Sequence, residues 1–80
     1  MTRQDIEKKV TDILVETQGV EPEEVKNEAD FREDLGGDSL DLMVVVMEIE
    51  KAFNISITDE EIEKAKTVGD ICDMVERYVD

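Results

Sequence analysis

The sequence predicts an all-α domain: a small four-helix bundle with a long first loop and a short third helix, residues 1–80 forming one unit. Two observations carry that expectation. Four segments repeat apolar residues at the three-to-four spacing of an amphipathic helix. Each also has an acceptor at its start and an acid three residues later: Thr2 and Asp5, Asp38 and Asp41, Thr58 and Glu61, Thr67 and Asp70. That is the spacing of a capping box. One such pair arises by chance in so acidic a chain, but four at the expected starts form a consistent signal.

Taken in order, Ile6, Val10, Ile13 and Leu14 mark one face of a first helix that stops near Gly19. The connection from Gly19 to Gly37 is long for a compact bundle. It carries its own anchors, Val20, Val25, Phe31 and Leu35, and Pro22 followed by Glu23 and Glu24 can open a single helical turn. The second helix runs from Asp38 to Phe53 and halts near Asn54. A short third helix spans Glu60 to Ala65. The fourth is marked by Val68, Ile71 and Val75, with Tyr78 or Val79 completing its face.

Composition narrows the function classes. Eighty residues lie near the lower limit for a self-sufficient core, and 40% hydrophobic content with three aromatics means a core of Ile, Val, Leu and Met. Nine basic residues against 23 acidic ones give a net charge of −14. Such a surface repels phosphate backbones and anionic lipid, which argues against nucleic-acid and membrane binding. It favours partners with a basic face, and it makes stability sensitive to salt and divalent cations. The single cysteine, Cys72, permits no intramolecular disulfide and fits a reducing compartment. No apolar run approaches the ~20 residues of a membrane span, and the opening MTRQDIEKK is too polar for a secretory signal. A soluble, cytoplasmic monomer is expected. Histidine is absent, which removes the commonest general base and metal ligand, so an autonomous enzyme is not.

The informative stretch is DLGGDSLDLMVVVMEIE, Asp34 to Glu50. Asp38 is the better N-cap, which places Ser39 at the first helical position with its side chain pointing outward. Taken alone, Ser39 reads as a tolerated helix-start residue. The surrounding ADFREDLGGDSLDLMVVVMEIEKAF changes that reading, because Asp34-Leu35-Gly36-Gly37-Asp38-Ser39-Leu40 resembles the D-L-G-x-D-S-L motif of the acyl carrier protein family. The resemblance extends over nearly the whole chain, through the first helix, Phe31 and the segment FNISITDEE after Lys51-Ala52.

That resemblance implies that Ser39, flanked by Asp38 and Leu40, receives 4′-phosphopantetheine from coenzyme A through a separate phosphopantetheinyl transferase. Asp38 would help to position the transferase's metal ion. The arm ends in a thiol, so acyl groups would be carried as thioesters and presented to acyl-processing enzymes, most simply those of fatty acid biosynthesis. Specialised polyketide and peptidyl carriers share the motif; GGDSL resembles the peptidyl type, whereas Glu33-Asp34 and Asp41 look closer to the acyl type. The local chemistry agrees with a modified residue. No base adjoins the hydroxyl in sequence, so Ser39 reads as a substrate and not a catalyst. The neighbouring glycines would admit a transferase, and a helix N-terminus favours an attached phosphodiester, although Asp38 opposes it.

The second helix has more apolar residues than one face can bury. Leu42, Val45, Val46, Ile49 and Phe53 make a core stripe; Leu40, Met43, Val44 and Met47 lie on another side. The second set is either the far side of a helix buried all round or a docking surface, to which methionines are suited because they repack easily. From Glu33 to Glu50 there are six acids and no Lys or Arg. They read as a solvated face, or as a steering rim in which Asp38, Asp41, Glu48 and Glu50 border the apolar patch and meet basic docking surfaces. Val44 and Lys51 stand where fatty-acid carriers commonly have acids, and Glu48 where a small residue is usual. The partner set is therefore open.

Val46, Ile49, Ile57, Ile62, Val68 and Ile71 are candidates to shelter an acyl chain between helices, as the resemblance implies, and equally to be ordinary core. Two readings from other classes fare worse. Asp30 to Asp41 has the 12-residue length of a calcium loop, but Arg32, Leu35 and Asp41 occupy its third, sixth and last positions. No metal site is expected. Cys72 as a nucleophile has no histidine to activate it and reads as core filler.

Overall fold

The computed structural model describes residues 1–79. Among them, four α-helices form the bundle: α1 (Arg3–Gln18), α2 (Ser39–Phe53), α3 (Asp59–Lys64) and α4 (Val68–Tyr78). A 3₁₀ turn at Pro22–Glu24 interrupts the first loop. The expected architecture is present, with α3 starting and ending one residue earlier than the sequence suggests.

The apolar stripes meet where the spacing sends them. Ile6, Val10 and Leu14 of α1 are buried, and Ile13 packs half-buried against the same core. From α2 come Leu42, Val45, Val46, Ile49 and Phe53, all buried. The fourth helix contributes Val68, Ile71, Cys72, Met74 and Val75. Val79, not Tyr78, continues the inner face; the Tyr78 hydroxyl instead faces the Thr58 N–H at 3.5 Å. Helix α1 packs against both α2 and α4, while α3 leans on α2. Cys72 is fully buried, and burial pushes its thiol up to about 11. A group so placed is packing material.

Capping follows the expected pattern with one exception. Thr2–Asp5, Asp38–Asp41 and Thr67–Asp70 form reciprocal boxes. At α3 the Thr58 hydroxyl accepts from the Glu61 N–H, but the return bond is missing because Glu61 pairs with Arg77 of α4. Helix α1 ends at Gly19 (φ 67°) and α2 at Asn54 (φ 57°), both left-handed.

The few basic residues tie helices together. Arg3 donates to Asp73 at 2.6 Å and Glu76 at 3.1 Å on α4, and to Glu7 on its own helix at 3.0 Å. The Lys9 ammonium lies 5.4 Å from the centre of the Phe53 ring, joining α1 to the end of α2.

The long loop is pinned by backbone pairing to the end of the α3–α4 connection and the first turn of α4. The Phe31 N–H donates to the Lys66 carbonyl (2.8 Å), the Val68 N–H to that of Ala29 (3.0 Å) and the Gly69 N–H to that of Asn27 (2.9 Å). Phe31 and Leu35 are buried as expected; Val20 and Val25 are half-buried, and Ala29 joins the core without having been foreseen. Asp70 supports this junction by accepting from the N–H groups of Lys66 and Thr67. Those bonds hold its carboxyl below the usual range.

A depressed folded-state pKa contributes stability that is complete above the unfolded value of about 3.9 and lost as pH falls through the folded value. Asp70→Asn is therefore expected to cost about 1 kcal/mol near pH 7. Its deficit should shrink as pH falls below about 4 and close once the pH is below the depressed folded value. Urea unfolding of both proteins across that range checks this.

Candidate functional site

The site is built where the pinned loop runs into α2. Asp30 accepts from the N–H groups of Arg32 and Glu33 through one carboxylate oxygen, both at 2.9 Å. Asp34 returns a carboxylate to the Asp30 N–H at 2.7 Å. The chain then turns at Gly36, whose φ of 69° is left-handed. Gly37 donates its N–H to the Phe31 carbonyl at 3.0 Å.

The two glycines do different work from that expected. Gly36 is exposed, with open space where a Cβ would stand, so its requirement is conformational. Gly37 is buried: a Cβ there would overlap the Phe31 ring. Its missing side chain makes room for the domain's own Phe31, not for an approaching partner.

Asp38 caps α2, accepting from the Asp41 N–H at 2.9 Å, while Asp41 accepts from the Asp38 N–H at 3.2 Å. Ser39 follows as the first residue of α2, exposed. Its Oγ accepts a hydrogen bond from the Arg32 guanidinium at 2.8 Å. With the Asp41 N–H held by Asp38 and the Leu42 N–H by the Asp38 carbonyl, the N–H groups of Ser39 and Leu40 make no bond among the described residues. They stand at the positive end of the helix dipole.

Arg32 is the residue that reading along the sequence missed. A signal was available: it is the sole cation between Lys26 and Lys51. What the sequence lacked was any indication that a side chain seven positions upstream returns to the serine.

From Ser39 an open cleft of about 770 Å³ runs between α2 and α3. Leu42 and Met43 line one side, Ile62 and Ala65 the other, with Arg32 and Lys66 among the polar residues at its walls. Of the six aliphatic residues singled out from sequence, Ile62 alone borders this cleft. Val46, Ile49, Ile57, Val68 and Ile71 are packed in the core.

The outer side of α2 is open. Leu40 is 73% exposed, Met43 and Met47 54% each, and Val44 50%. Glu48 is exposed beside this patch, 3.9 Å from the Lys51 ammonium. Glu50 is placed differently from a rim charge: it is half-buried and accepts from the Ile57 N–H at 2.8 Å, bracing the turn into α3. In the segment considered as a calcium loop, Asp30, Asp34, Asp38 and Asp41 all accept from backbone N–H groups of the segment itself. Among the described residues no three acidic or cysteine side chains converge on a common point.

Fold and site define a class, a helical-bundle carrier domain of the phosphopantetheine type. The family profile described as "Phosphopantetheine attachment site" matches residues 8–75. An acyl carrier protein of Bdellovibrio bacteriovorus is 50% identical over 72 residues, 90% of this chain and 92% of that protein. One of Porphyromonas gingivalis is 48% identical over 73 residues, covering 91% and 94%. Among solved structures, the acyl carrier protein of Enterococcus faecalis superposes with a TM-score of 0.78 at 35% identity, covering 94% of this chain and 95% of that one. A putative acyl carrier protein of Mycobacterium tuberculosis gives 0.84 at 26%, covering 90% and 96%. The chain belongs to the acyl carrier protein family. Its prosthetic group is 4′-phosphopantetheine, and the exposed hydroxyl, unengaged N–H groups and nearby guanidinium suit a phosphodiester at this helix tip.

Because Gly36 holds a left-handed conformation in open space, Gly36→Ala should destabilise by about 1 kcal/mol through backbone strain alone. Urea denaturation measures it, and a loss well above that value would mean an unseen steric clash.

Proposed function

We propose that this chain carries acyl groups as thioesters on 4′-phosphopantetheine attached to Ser39, serving enzymes of fatty acid biosynthesis. The observation that carries the proposal is an exposed serine hydroxyl at the first position of α2, directly after a loop pinned at residues 27–31. When bound, the prosthetic group supplies a thiol on a long flexible tether. This chain's residues present the attachment oxygen and, by capping and loop pairing, keep its place fixed.

Ser39 acts as a substrate. Its described partner is a guanidinium, which donates and cannot accept a proton, and the chain has no histidine. The base that removes the hydroxyl proton must therefore belong to the transferase. Asp38 is tied to the Asp41 N–H through Oδ1 and keeps a second carboxylate oxygen with which to meet a transferase-bound metal ion. The carrier itself performs no catalysis.

The patch of Leu40, Met43, Val44 and Met47 docks partner enzymes, with Asp38, Asp41 and Glu48 at its edge attracting basic surfaces. Glu50 contributes charge from a fixed, half-buried position. The cargo is sheltered first along the cleft beside Leu42, Met43, Ile62 and Ala65. Reaching Val46, Ile49, Ile57, Val68 or Ile71 would require the helices to part, since these side chains are closely packed. Each methylene removed from water contributes about 0.8 kcal/mol. The domain works as a cytoplasmic monomer, and among the described residues no helix is long and apolar enough to cross a membrane.

Incubation with coenzyme A and a broad-specificity phosphopantetheinyl transferase should add one phosphopantetheine to the intact mass, and Ser39→Ala should abolish the gain. An unmodified wild-type protein would overturn the assignment. For docking, Met47→Glu should change folding stability by less than about 0.5 kcal/mol, because the side chain is half exposed. Turnover of the loaded carrier by its partner enzymes should fall several-fold. Unfolding of the variant would instead assign this stripe to the core.

A further inference from the structure

We infer that Arg32 is a phosphate ligand built into this carrier, pairing with the phosphodiester once Ser39 is modified; the inference rests on the attachment reading above. Its basis is an anomaly of charge. The chain has a net charge of −14, and Asp30, Glu33 and Asp34 all lie within two residues of Arg32 in sequence. Even so, among the described residues Arg32 makes no ion pair with any carboxylate, and its Nη2 points at the neutral Ser39 hydroxyl, 2.8 Å away. By contrast, Arg3 and Arg77 both pair with acids.

Three of the nearby carboxylates accept from backbone N–H groups and not from Arg32. Asp30 holds the N–H groups of Arg32 and Glu33, Asp34 holds the N–H of Asp30, and Asp38 holds that of Asp41. The backbone beneath Arg32 is fixed as well, through the Phe31 N–H to Lys66 and the Gly37 N–H to the Phe31 carbonyl. The guanidinium is thus a pre-placed cation without a charged partner. A phosphate attached at Oγ would put its charged oxygens one atom beyond the present acceptor. A planar fork of N–H donors binds them in two-point fashion. The unengaged N–H groups of Ser39 and Leu40 face the same anion from the helix side. Arg32 would hold the base of the arm near the mouth of the cleft, which it also borders. Its part is positioning, and the carried chemistry remains on the thiol.

The test compares wild type, Arg32→Gln and Arg32→Lys, each before and after loading, with intact mass confirming modification. Two readouts are independent of any acyl-processing activity: the ³¹P resonance of the phosphodiester, and the change in melting temperature on loading. The wild-type phosphodiester line should be displaced from that of Arg32→Gln. Loading should favour wild type over Arg32→Gln by a few degrees at low salt, the difference shrinking as salt rises. Arg32→Lys should fall between them. Identical ³¹P lines and additive melting shifts in loaded proteins would overturn the assignment of Arg32 while leaving Ser39 attachment intact. Failure of the wild type to gain mass would overturn both.

Discussion

The site depends on one constraint, the backbone pairing that fastens residues 27–31 to residues 66–69. Three hydrogen bonds between these segments, together with buried Phe31, convert a long loop into a fixed bracket. A loop of that length loses considerable conformational entropy on being ordered, and the bracket makes that loss local and definite. Everything needed at the helix tip descends from it. Phe31 sets the path of Gly37, Gly37 leads into the Asp38 cap, and the cap presents Ser39. Arg32 emerges from the same bracket, one residue beyond Phe31.

Acidity shapes the rest of the molecule. Self-repulsion at a charge of −14 works against compactness, and the structure answers with positioning instead of neutralisation. Many acids accept from backbone N–H groups, within the loop and at helix starts, where an anion is favoured. Arg3 and Arg77 join α4 to α1 and α3, and Lys9 lies over Phe53. Exposed pairs of this kind contribute little singly, about 0–1 kcal/mol, so the apolar core supplies most of the stability. Against that background an arginine directed at a hydroxyl is conspicuous.

Helix α2 combines two surfaces that a small bundle ordinarily keeps apart. Its inner stripe closes the core with Val45 and Ile49, while Met43 and Met47 remain open to solvent. Met43 also borders the cleft that begins at Ser39. In the reading proposed above docking and cargo shelter share this element, and a partner seated on α2 would sit beside the mouth of the cleft.

Local patterning was enough for the elements themselves. The spacing of Ile6, Val10 and Leu14, the D-x-x-D signal at Asp38, and the excess of apolar residues on α2 each reflect forces acting within a few residues, so they are readable from the chain. The serine's position at a helix start is of this kind, because capping is decided within one turn. What needed the tertiary structure were the contacts made across long separations. The return of Arg32 to Ser39, the burial of Gly37 against Phe31, the diversion of Glu61 to Arg77 and the use of Glu50 to brace Ile57 all depend on how segments are folded back on one another. No periodicity records those meetings, since they arise only when packing of the core brings distant backbone into register.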